Sequence, residues 1–136
     1  MKTIEKILPI AIEAVENHVL VSPDNNEPGK VPKEFNGYIS SFGASIIMSG
    51  LLPTIVFFSQ KGRSKGDRNS VISAIEEIIN EQNLDILTSN NSLLKTVKDN
   101  VNNRAKTERL QNKIQEAAIA LKLAIRIFPK SQKESQ

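Results

Sequence analysis

From Phe35 to Gln60 the chain carries no charged residue, although 24% of all its residues are charged. Such a stretch is a membrane span, the core of a small domain, or a surface made for another protein. A spanning helix needs roughly 20 predominantly apolar residues, so length alone allows one. Ser40, Ser41, Gly43, Ser45, Ser49, Gly50, Pro53 and Thr54 interrupt it with small or polar groups, and helix packing in water explains these more simply than lipid contact. The expectation is no membrane span.

Apolar residues recur at three- and four-residue spacing along the chain, and no stretch alternates as a strand would. The sequence therefore predicts an all-α fold, a single compact helical bundle of about five to six helices. Residues 1–129 form that one domain, and residues 130–136 form a disordered tail. A first helix is expected over about Thr3–Val21, with Ile4, Ile7, Leu8, Ala11, Ile12 and Val15 on one face. Pro9 lies beyond its first turn and predicts a kink or a late start. Residues 22–32, with three prolines, a glycine and turn-forming Asn and Asp, read as loop.

The second helix is expected from near Lys33 to about Ser49. Phe35, Ile39, Phe42, Ile46 and Ile47 supply its stripe, and Gly43, Ala44 and Ser45 allow close backbone approach. Gly50 and Pro53 punctuate the chain before a short helix over about Leu52–Ser59, where Pro53 sits in a first turn that needs no N–H from it. Asp67 to Ser70 offer N-caps for a helix to about Asn80 with Val71, Ile72, Ile75, Ile78 and Ile79 apolar. Asn91 or Ser92 caps another to about Val101, and a long last helix runs from about Arg104 to Phe128 before Pro129 stops it.

With 136 residues and 39% hydrophobic content, the chain is long enough to bury a core without covalent staples. It contains no cysteine, which excludes disulfides and thiolate-bound metal and points to an intracellular, cytoplasmic setting. The apolar part of the N-terminus is broken by Pro9, Glu13 and Glu16, which argues against a signal sequence.

The net charge of +3 hides an alternation. Residues 29–68 and 95–136 carry an excess of Lys and Arg, whereas residues 1–28 and 69–94 carry an excess of Asp and Glu. The first basic segment holds Lys61, Arg63, Lys65 and Arg68, with Gly62 and Gly66 letting the backbone bend toward an anion. It is either a phosphate-contacting loop or a solvated one, and it is no P-loop, since Gly66 is followed by Asp67. On the last helix Lys106, Arg109 and Lys113 form a basic ridge beside the apolar stripe of Leu110, Ala117, Leu121 and Phe128. Ile119, Leu123 and Ile127 widen that apolar face, so the helix is either central to the core or shared with a partner. The same two readings apply to Phe57 and Phe58, neighbours that cannot both point along one helix radius.

No catalytic residue, metal ligand or cofactor is expected. His18 is the sole histidine, and Glu13 and Glu16 do not stand at metal-ligand spacing from it, so it reads as a surface or helix-end residue. Glu76, Glu77 and Glu81 read as a solvated acidic face, and no serine has a base in motif form. One tyrosine and no tryptophan argue for backbone-led rather than stacking contact with any nucleic acid.

Residues 34–62, EFNGYISSFGASIIMSGLLPTIVFFSQKG, resemble the helix, Gly-Leu step and short hydrophobic helix ending in a basic turn of the small helical subunit of the type III-B CRISPR effector, the Cmr complex. Residues 110–130, LQNKIQEAAIALKLAIRIFPK, are similar to that family's last helix, with Leu123, Ala124, Ile125, Arg126, Ile127 and Phe128 where the family usually carries a tryptophan-containing ending. The resemblance implies a non-catalytic subunit, stacked with copies of itself into an inner filament beside the other Cmr subunits, that takes no small-molecule substrate. It further implies that Lys61, Arg63, Lys65, Arg68, Lys106, Arg109 and Lys113 contact the backbone of the crRNA-target RNA, whose sequence is read by the guide. Phe57, Phe58, Leu123 and Ile127 are the expected subunit contacts. The type III-A small subunit, with the same role, and a homodimeric helical adaptor that binds no nucleic acid are the alternatives.

Overall fold

In the computed structural model, which describes residues 2–21, 27, 29–60, 68–82, 87 and 92–131, the chain forms six α-helices and a short 3-10 turn. They are α1 (Lys2–His18), α2 (Phe35–Ser49), α3 (Leu51–Ser59), α4 (Asn69–Glu81), α5 (Leu93–Asp99) and α6 (Arg104–Ala124), followed by the turn Ile125–Ile127. No strand occurs among the described residues, so the all-α expectation holds.

The first helix follows its periodicity. Ile4, Ile7, Ala11 and Val15 are buried, and Leu8 and Ile12 pack partly against the same core. The helix starts at Lys2 and runs through Pro9, so the late start does not occur. Pro9 is exposed, and the carbonyl its ring leaves without an intrahelical donor belongs to Glu5, also exposed, where water can satisfy it.

Helix α6 packs against α1, α2 and α4, and α4 also packs on α1. Leu110, Ile114, Ala117, Leu121 and Ala124 line its inner face. Helix α3 is held between α2, α4 and α5. Two of the N-caps are side chains of the expected type, which place acceptors against otherwise orphaned first-turn N–H groups. Ser92 accepts from Lys95 N at 3.2 Å and Asn103 accepts from Lys106 N at 3.1 Å. The sharp step from α2 to α3 depends on Gly50, whose φ of +100° lies where L side chains are strained. Its carbonyl accepts the Thr54 hydroxyl at 2.8 Å, and Thr54 in turn meets Ser45 Oγ at 2.7 Å, so the buried threonine is satisfied.

Three expectations change here. Ile47 does not belong to the buried stripe of α2: it is 77% exposed, because it follows Ile46, which points inward. Close backbone approach at Gly43 and Ala44 is not found, since Ala44 is exposed and a Cβ built on Gly43 would meet nothing within 4 Å. Finally, Lys130 and Ser131 are held in place rather than disordered. Val31 donates to Pro129 O and accepts from Ser131 N, both at 2.8 Å, while the Ser131 hydroxyl donates to the Glu27 carboxylate. Residues 132–136 lie outside the described residues.

Candidate nucleic-acid and subunit-contact surfaces

Helix α6 divides along its length into a charged first half and an apolar second half. Asn103 starts it, and the first turns carry Arg104, Lys106, Glu108 and Arg109, all exposed. Arg104 pairs with Glu108 at 3.2 Å across one turn. Lys106 and Arg109 have no carboxylate within ion-pair distance among the described residues, so their charges project into solvent uncompensated. Lys113 differs: it is half-buried and pairs with Glu116 at 3.4 Å, so a phosphate would compete with that carboxylate.

The first basic segment is reached only at its end. Lys61, Arg63 and Lys65 lie outside the described residues, and with them the question whether both segments share a face. Arg68, just before α4, lays its guanidinium over the Phe57 ring, 4.2 Å from the centroid, a cation–π contact that fastens the start of α4 to α3. Its Nε is enclosed without a hydrogen-bond partner. Packing therefore already uses part of this arginine.

Among the expected subunit contacts, the two phenylalanines separate as helix geometry requires. Phe58 is 2% exposed and meets Phe42 edge-on at 5.2 Å, so its ring belongs to the core and offers no surface for a partner. Phe57 is 47% exposed. Leu123 is half-buried and Ile127 is exposed. Ile47, Ile119 and Lys122 border a groove between α2 and α6, and the exposed Met48, to which the sequence reading gave no place, lies next to Ile47. The signal was present in Ile46, Ile47 and Met48, three consecutive large apolar residues of which one helix face can bury at most one or two.

The acidic residues of α4 do not form a solvated face. Glu77 accepts from Asn17 Nδ2 at 3.1 Å and meets His18 Nε2 at 2.8 Å, tying α4 to the end of α1. Glu76 accepts the backbone N–H of Leu93 at 2.8 Å, the first residue of α5. Burial raises the Glu76 pKa above the ordinary carboxylate value; the Leu93 N–H and the nearby His18 offset this in part. Only Glu81 of the three is exposed. Among the described residues no group of His, Asp and Glu is arranged to hold a metal ion, and no helix is long and apolar enough to cross a membrane.

Comparison with known proteins adds one finding. The family model described as CRISPR-associated protein (Cas_Cmr5) matches residues 11–124, which takes in every helix from the middle of α1 to the end of α6. No curated protein and no solved structure matches the chain.

Proposed function

This chain belongs to the Cas_Cmr5 family, the small-subunit family of the type III-B Cmr complex, and on that premise we propose that it serves as a non-catalytic RNA-contacting subunit of such an effector in the cytoplasm. The observation that carries the RNA reading is the uncompensated pair Lys106 and Arg109 on the exposed flank of α6. Two exposed cations about one helical turn apart can each contact a phosphate of one nucleic-acid strand, and such contact gains free energy from counterion release whatever the base sequence. Arg68 and Lys113, and in the sequence Lys61, Arg63 and Lys65, add to this basic character. In this reading copies of the subunit stack beside the other Cmr subunits, and base pairing by the guide supplies sequence recognition.

The test is a salt titration of binding to a single-stranded RNA and to a guide–target duplex. Wild type is expected to bind both weakly, without sequence preference, and with affinity that falls steeply as salt rises. A Lys106→Ala, Arg109→Ala variant should lose affinity uniformly across sequences and flatten the salt slope by about one for each lost phosphate contact. Failure of wild type to bind either RNA at low salt would overturn the reading. It would favour a protein-only adaptor, which the exposed Ile47, Met48 and Ile119 independently suggest.

A further inference from the structure

Helices α2 and α6 flank a groove of about 350 Å³ that no described residue fills. Ser40, Gly43 and Ile47 line one wall at spacings of three and four; Gln115, Ile119 and Lys122 line the other at the same kind of spacing. The groove therefore follows both helices for about two turns, roughly 10 Å. Its floor is Ile39, Ile46 and Ala118, all buried, while its rims rise as Ile47, 77% exposed, and Ile119, 49% exposed. Met48, next to Ile47, is 85% exposed. An apolar trough with such rims is the form that accepts the apolar face of an amphipathic helix.

Gly43 strengthens this interpretation. It sits in the interior of α2, where glycine is unfavourable relative to alanine, yet an added Cβ would touch nothing within 4 Å. The protein's own packing does not require the missing side chain. The space it leaves belongs to the groove.

Charge decides the kind of helix. Helix α2 carries no charged residue, and the single charge lining the groove is Lys122. Its ammonium donates to Ser40 Oγ at 2.8 Å, a neutral partner, which holds the charge at the groove edge without compensating it. A carboxylate flanking the occupant's apolar row would supply the compensation. A second copy of this chain fits poorly. Face-to-face pairing would bring Lys122 toward Lys122. On α6 the exposed Ile119 does have a carboxylate one turn away, Glu116, but Ile119 is itself a rim of the groove and Glu116 is already paired with Lys113 at 3.4 Å, so that row is a poor occupant. The exposed carboxylates of α1, Glu5, Glu13 and Glu16, lie opposite an apolar face that is already buried.

We infer that the α2–α6 groove is a docking site for an acidic amphipathic helix of another polypeptide, with its apolar row between Ile47 and Ile119 and a carboxylate on Lys122. This goes beyond the RNA reading and does not depend on it.

The probes are two synthetic helical peptides with identical leucines at i, i+3 and i+7, one carrying Glu and the other Lys beside that row. Fluorescence anisotropy against the full chain should show the Glu peptide binding about tenfold more tightly, the scale of one well-placed charge contact. Lys122→Glu should invert the preference. Gly43→Leu, which fills the trough, and Ile119→Glu should abolish binding of both peptides, with circular dichroism verifying that each variant is folded. Equal binding of the two peptides, binding indifferent to Gly43→Leu, or no binding of either would overturn the inference. So would sedimentation showing a wild-type dimer that Ile119→Glu dissociates, since a second copy would then occupy the groove.

Discussion

Helices α2 and α4 use their apolar residues in opposite ways. Helix α4 alternates charge with aliphatic residues, and Val71, Ile72, Ile75, Ile78 and Ile79 are all buried. The charge-free α2 buries Phe35, Ile39, Phe42 and Ile46 but leaves Ile47 and Met48 almost fully in water. Absence of charge is thus a poor guide to burial, because an amphipathic pattern states which face turns inward whereas a uniformly apolar one does not. The more hydrophobic helix presents the stickier outer surface, and it does so beside a groove.

The sharpest way to break this contrast is to compare adjacent faces of α2. Phe42→Ala should cost about 3–5 kcal/mol, since its ring is fully buried against Phe58. Ile47→Ala should change stability by no more than about 0.5 kcal/mol. Urea unfolding of both variants measures the difference, and similar losses would mean that Ile47 is covered in the isolated chain.

On α4 the corresponding test concerns the carboxylate that α2 lacks. Glu76→Ala leaves the Leu93 N–H without its acceptor and should cost about 1–2 kcal/mol. Glu76→Gln keeps an acceptor and removes the titration. Because burial raises the folded-state pKa of Glu76, the protonated form is favoured in the fold. Its contribution is complete below the ordinary value of 4.5 and declines as pH rises through the raised value. Urea midpoints across that range should therefore fall for wild type relative to Glu76→Gln as pH increases. A constant difference would show that Glu76 titrates alike in both states.

The smallest effect is a gain. Gly43→Ala should stabilise the protein by about 0.5–1 kcal/mol, because alanine reduces the backbone entropy lost on folding and its methyl meets only open space. A loss on thermal unfolding would mean that the groove is tighter than its walls indicate.

Much of the secondary structure was legible in the residues. The α3 turn with Pro53 and the capping role of Ser92 rest on backbone rules that act over a few positions. Helix ends were less secure: α5 stops at Asp99 rather than near Val101, and α6 changes to a 3-10 turn after Ala124. For the candidate surfaces, the exposure of Lys106 and Arg109 followed from their position beside the apolar stripe. The packing of Arg68 on Phe57 did not, since it joins the start of one helix to the end of another.

What the sequence by itself determined is the helical class, the order of the helices, and the family, because periodicity, caps and local motifs are written in neighbouring residues. Tertiary structure alone decided that Ile46 is covered and Ile47 is not, that Glu76 and Glu77 link helices instead of facing water, and that Ser131 is fixed against Val31. Each of these depends on which distant segment arrives at a given face, and a helix's own residues show how wide its apolar face is without showing how much of it the rest of the chain can reach.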